Sequence, residues 1–253
     1  MKAGTLLIVA SLLLVSAALA DEIETEEFSF RIDSDGRISL ENINGEIQIT
    51  GSKGDEVYIK AHKKAEKQEY LDELKVLIDA DSKYIRIETR HPDSKNFSFG
   101  WGKGNSGSVS YELTVPEAVN LDTISTVNGN IEISRVSGTV KAETVNGDLD
   151  VSGLASNVDL ETVNGGILAV FDSLGSSQRV SAEAVNGKIE IKLPAETSAR
   201  INAETINGSI DAKDFDLEVE KGYVGRELDG QIGSGEARIS LDTVNGSIKI
   251  RKK

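Results

Sequence analysis

The chain has 253 residues, with 42 acidic against 28 basic side chains and a net charge of −14; no nucleic acid is expected as a partner, because phosphate binding draws on clustered positive charge. It contains no cysteine, which rules out disulfides, a cysteine-linked lipid anchor and any thiolate metal ligand or nucleophile. Only 3 prolines stand against 24 glycines, which points to many short strands joined by turns.

Residues 1–20 read as a secretory signal peptide: Lys2, an apolar run from Leu6 to Val15, then Ala18-Leu19-Ala20 ahead of the acidic "DEIETEE". Cleavage near Ala20/Asp21 would leave a periplasmic or secreted protein, and no later apolar run is long enough for a membrane span in the mature chain. Residues 21–115 are expected to form an irregular antiparallel β portion. There Ile85 and Ile87, and then Tyr111, Leu113 and Val115, alternate with other residues at the period of half-buried strands. Within this portion "KKAEKQEYLDELK" (63–75) reads as a short surface helix or charged loop, leading into strands over 74–80 and 83–90. The segment "NFSFGWGKGNSGS" (96–108) sets Phe97, Phe99 and Trp101 on one strand face beside a Gly/Ser loop. These aromatics are either an alternating core strand or a contact surface for a glycan or protein partner.

Residues 116–253 form the repetitive portion. The asparagines of seven Asn-Gly pairs stand at Asn44, Asn128, Asn146, Asn164, Asn186, Asn207 and Asn245, with separations of 84, 18, 18, 22, 21 and 38. Repeats near twenty residues are too small to bury their own apolar faces and must stack on neighbours. Asn-Gly between alternating strands ordinarily marks a two-residue hairpin, which would give an antiparallel hairpin meander or sandwich. That arrangement leaves the residue before each Asn on the polar face, yet Ile43, Val127, Val145, Val163, Val185, Ile206 and Val244 are all aliphatic. In a β-solenoid the chain instead bends at the Thr-Val step and turns these residues inward as corners, while the asparagines stack coil upon coil in a ladder of side-chain amides. The expected fold is therefore all-β: a β-solenoid, β-helix-like repeat portion with the irregular portion before it, as two domains or one continuous one. The terminal "SIKIRKK" ends on positive charge and is expected to protect the open edge of the last coil.

The succession "VSYELTVPEAVNLDTISTVNGNIEI", "VKAETVNGDLDV", "VDLETVNGGI" and "GQIGSGEARISLDTVNGSIKI" resembles the bacterial putative adhesin family of β-strand-repeat domains of unknown function, over roughly residues 25–251. The resemblance implies an exported or envelope-associated protein with a β-helix-like repeat domain. It carries no catalytic residues.

Candidate chemistry is sparse. His62 and His91 lie in charged or strand-end surroundings without a nucleophile pattern or metal-ligand spacing, and are expected to be exposed. "GQIGSG" (230–235) lacks the lysine, hydroxyl and helix of a phosphate-binding loop, so tight turns explain it better. Acidic residues recur three places before the Asn, at Glu41, Glu143, Glu161, Glu183, Glu204 and Asp242, with Ser125 the exception. Stacked coils would set them in a column spaced about 4.8 Å, a conceivable row of Ca²⁺ sites, although an exposed column at that spacing needs no metal. No cofactor and no catalytic or metal-binding residues are expected. The expected function is that of an exported, non-enzymatic envelope protein, a scaffold or adhesion-type module for an envelope protein or glycan. The alternative is a carbohydrate-active β-helix enzyme, a polysaccharide hydrolase or lyase using one carboxylate pair.

Overall fold

Alternating β-branched and polar residues with turn residues every few positions produce strands almost throughout a computed structural model that describes residues 21–92, 107–222 and 224–253. The strands are β1 (Glu22–Arg31), β2 (Arg37–Glu41), β3 (Ile47–Ser52), β4 (Glu56–Ala65), β5 (Lys75–Ala80), β6 (Tyr84–Arg90), β7 (Gly107–Pro116), β8 (Asn120–Asn128), β9 (Ile131–Ser134) and β10 (Val140–Asn146). They continue with β11 (Leu149–Leu154), β12 (Val158–Asn164), β13 (Ile167–Phe171), β14 (Arg179–Asn186), β15 (Ile189–Leu193), β16 (Ala199–Asn207), β17 (Ile210–Asp211), β18 (Arg226–Ile232), β19 (Ala237–Asn245) and β20 (Ile248–Lys252). The charged stretch over 63–75 is helical only at α1 (Gln68–Glu73), which buries Tyr70 and Leu71.

Two ten-stranded sheets face each other. One runs β1-β4-β7-β3-β9-β11-β13-β15-β20-β17, the other β18-β16-β19-β14-β12-β10-β8-β2-β6-β5. Each coil gives one strand to each sheet, so β10 and β11 on either side of Asn146-Gly147 never pair with each other. Their partners are the equivalent strands of adjacent coils, parallel and in register, with Val140 opposite Val158, Glu143 opposite Glu161 and Leu149 opposite Ile167. This is a β-solenoid-like stack rather than a series of hairpins. The inward faces form one apolar core from Ile32 to Ile250. Tyr111, Ile47, Ile131, Leu149, Ile167, Ile189 and Ile248 follow one another in register along it, each aliphatic contributing about 1.5–3 kcal/mol by leaving water.

The Asn-Gly pairs turn the chain from one sheet to the other without the left-handed backbone of a hairpin turn, since among their glycines only Gly45 has a positive φ. Glycine is needed here for close approach. A Cβ on Gly147 would lie 2.0 Å from the carbonyl oxygen of Gly129, and one on Gly165 would lie 1.9 Å from that of Gly147.

Three expectations fail. The aliphatic residues before each Asn are not inward corners: the bend falls after the Asn, and the strand's alternation sends Thr144 inward and Val145 outward. The histidines are half-buried and partnered rather than exposed, as described below. The C-terminal coil is not at the end of the stack, because β19 lies between β14 and β16 and β20 between β15 and β17. The edges are instead β1 and β17 of one sheet and β18 and β5 of the other. Antiparallel pairs β1–β4, β5–β6 and β16–β18 close the parallel stack, and charges such as Glu22, Lys75 and Asp229 on these outermost strands oppose further pairing. Under the first end, Lys63 points inward and is buried between the carboxylates of Glu24 at 2.8 Å and Glu26 at 3.0 Å. Burial works against its charge, but the two carboxylates outweigh that and raise its pKa above the ordinary lysine value.

Candidate functional site

Because the coils stack in register, every position of the repeated pentapeptide becomes a column along the stack. The Asn column is a continuous ladder in the order Asn44, Asn128, Asn146, Asn164, Asn186, Asn245, Asn207: from Asn128 onward each side-chain amide donates to the side-chain oxygen of the asparagine before it, at 2.7 to 2.9 Å. Two positions earlier the threonines point into the core. Thr144, Thr162, Thr243 and Thr205 donate their hydroxyls to the carbonyl oxygens of Gly129, Gly147, Gly187 and Gly246 at 2.9 to 3.1 Å. Asn42 takes the same place in the first of these coils and donates instead to Val109 and Gly45. A buried hydroxyl is tolerable only when bonded, and these carbonyls satisfy it.

Between these columns the aliphatic residues face water. Ile43, Val127, Val145, Val163, Val185, Val244 and Ile206 are each between 37% and 50% exposed, one unbroken apolar stripe. Beside it runs the acidic column, Glu41, Ser125, Glu143, Glu161, Glu183, Asp242 and Glu204, also in register. From Ser125 and Val127 onward the acids and the stripe together line a groove of about 800 Å³, to which Val224, Arg226 and Glu227 also contribute. The charges are partly compensated, because Lys141 Nζ lies 3.0 Å from Glu143, 3.2 Å from Asp159 and 3.8 Å from Glu161. Glu161 is pushed above the usual carboxylate range by desolvation, then by the neighbouring charges of Glu143 and Asp159, with Lys141 opposing them. Lys141 is driven upward in turn, chiefly by its hydrogen bonds to Glu143 and Asp159.

Among the described residues no group of three or more His, Asp or Glu side chains is placed to hold a metal ion. His62 lies 3.1 Å from the Thr25 hydroxyl and 3.5 Å from a Glu112 carboxylate, an order of groups found in nucleophilic sites. It sits on β4, whose backbone is paired on both sides with β1 and β7. His91 contacts the Tyr70 hydroxyl at 3.1 Å, and burial lowers its pKa. Phe97, Phe99 and Trp101 lie outside the described residues, as do residues 1–20 with the expected cleavage site.

The fold has known relatives. A putative cell adhesion protein from Clostridium sporogenes superposes with a TM-score of 0.51 at 15% identity, covering 90% of this chain and 100% of that one. A putative adhesin from Bacteroides fragilis gives 0.43 at 12% identity, covering 89% and 96%, and a putative lipid binding protein from Parabacteroides distasonis gives 0.33 at 12%, covering 90% and 96%. Comparison with curated proteins finds no match. The model of one family, Toastrack DUF4097, matches residues 95–251. That span runs from the end of the irregular portion through all the stacked coils that follow, and on it the chain belongs to the Toastrack DUF4097 family.

Proposed function

We propose that the protein is an exported, non-enzymatic binding module of the bacterial envelope, and that the apolar stripe with its acidic flank is its contact surface for an envelope protein or glycan. The observation that carries this reading is the stripe itself. Seven aliphatic side chains in one file along about six inter-strand steps, roughly 29 Å, leave a continuous apolar surface exposed to water, and contiguous surfaces of this kind mark interaction sites. A wet, flat protein exterior has no packing reason to repeat Val or Ile at every coil. Export, read from the signal-peptide pattern of residues 1–20, brings the module to its partner.

The test uses the mature chain and a triple variant, Val145→Thr, Val163→Thr and Val185→Thr, which keeps β-branching and shape while adding hydroxyls to the stripe. Both proteins should show the same circular dichroism, while the variant captures markedly less of whatever envelope component the wild type retains. Equal capture by both would show that the stripe is not the contact surface.

A further inference from the structure

At the opposite end of the same sheet from the Asn ladder, Arg179 of β14, Arg238 of β19 and Arg200 of β16 stand directly opposite one another on adjacent parallel strands. We propose that this arginine row is an oxyanion site that takes a ligand carrying two or more phosphate or sulfate groups. All three side chains are exposed. On the same sheet face Arg37, Arg86, Arg90 and Lys141 each have a carboxylate within 4.0 Å, whereas among the described residues none of the three row arginines does. Like charges on directly opposed strands are destabilising, and in a chain of net charge −14 acids were plentiful enough to neutralise them. An oxyanion seated between two neighbouring guanidinium forks removes that repulsion and accepts parallel N–H bonds from both. Strand spacing sets the forks about 4.8 Å apart, so three of them offer two such seats and favour a ligand with more than one anionic group.

The surroundings match that chemistry. The row lies in a groove of about 750 Å³ that also holds Asn157, Ser181 and Asn202, together with Lys141 and the acids Asp159, Glu161 and Glu183. Asn157, Ser181 and Asn202 are neutral groups whose N–H or O–H can bond phosphate or sulfate oxygens without adding charge. The acidic column of the proposed contact surface lies four residues further along the strands, about 13 Å from the row, and its Glu161 and Glu183 line both grooves. The row is too short for the extended backbone contacts of nucleic-acid binding, which keeps the ligand small or sparsely charged.

Titration calorimetry of the mature chain with inorganic tripolyphosphate at low salt tests the site, with flotation of phosphatidylcholine vesicles containing phosphatidylglycerol as a second arm. Arg238→Gln should weaken binding at least tenfold, since hydrogen bonds to charged groups carry effects of this size, and Arg200→Gln should reproduce it. Lys53→Gln, which removes the same charge from an exposed turn, should leave affinity within about twofold. Arg238-dependent binding of tripolyphosphate identifies a soluble or glycan-borne phosphate as sufficient, and Arg238-dependent binding of vesicles alone identifies a lipid headgroup. Absence of binding in both arms, or binding that Arg238→Gln and Arg200→Gln leave unchanged, overturns the proposal.

Discussion

The coil of β14 lacks the hydroxyl that the coils on either side of it carry. Thr144 and Thr162 point inward and donate to glycine carbonyls of the preceding coil, and Thr243 and Thr205 do the same further along the stack, but the coil of β14 has Ala184 at this position, 6% exposed. Replacing Ala184→Thr should supply the missing donor to the Gly165 carbonyl. A buried hydrogen bond is worth about 0.5–1.5 kcal/mol, so the melting temperature should rise by roughly 1–5 °C for a chain of this size. Thr162→Ala should do the reverse, costing about 1–3 kcal/mol because the Gly147 carbonyl is left buried without its donor. Thermal melts of both variants check the pair, and a fall for Ala184→Thr would mean that the column has no room for the hydroxyl. The same column explains what hydropathy misread. Apolar character alone turns Val145 inward beside Thr144, but strand alternation lets only one of two adjacent residues face the core, and Thr144 can bury its methyl and bond its hydroxyl at once. The Asn-Gly spacing was a sounder guide, since it reports the length of a coil whichever way its side chains point.

Within a coil, the two strands and their bend act as one unit whose charges are shared with the coils above and below. Lys141 on β10 serves its own Glu143 together with Asp159 and Glu161 of β12, so it ties two coils at a point where the acidic column is most crowded. Ionisation of Glu161 is disfavoured in the fold, its pKa being raised from 4.5; the folded state therefore loses stability from this group as pH rises through the carboxylate range, and Lys141 offsets part of that loss. The raised Lys141 pKa makes its own contribution complete below the unfolded lysine value of 10.5 and lost as pH climbs through the folded value. Lys141→Met should accordingly be less stable than wild type by about 0.5–1 kcal/mol near neutral pH, a value kept small because the groups are partly exposed. The difference should form a plateau between roughly pH 6 and pH 10, shrinking below it as the carboxylates protonate and above it as the lysine loses its charge. Urea melts across that range check it, and a difference independent of pH would mean that Lys141 acts only through its methylenes. No single-sequence pattern revealed this tie, because it joins residues that become neighbours only once the 18-residue offset between β10 and β12 is in place.

At the scale of the whole molecule the coils are not stacked in chain order. The segment over 237–252 is inserted between the coil of β14 and β15 and the coil of β16 and β17, with Val180 opposite Ile239 and Ile201 opposite the same Ile239. The adjacent coils of β10 and β12 join residues 18 apart, as in Val140 and Val158, whereas this insertion joins residues 59 apart and must await the end of the chain. Sequence periodicity gave the number and spacing of repeats but said nothing of this order, since a repeat that fits between any two neighbours has the same inward pattern wherever it lies. A consequence separates this stack from a simple array, in which removing the last repeat peels one layer. Here a chain ending at residue 236 loses β19 and β20, and the coil of β16 and β17 loses with them its only parallel partners among the described residues. The antiparallel β16–β18 pair that remains is too small to be stable on its own. Hydrogen exchange on the truncated chain should therefore show the amides of 199–232 unprotected while those of 140–171 keep their protection. Protection retained over 199–207 would require β16 to dock directly on β14, closing the gap and showing that the inserted coil is dispensable for the end of the stack.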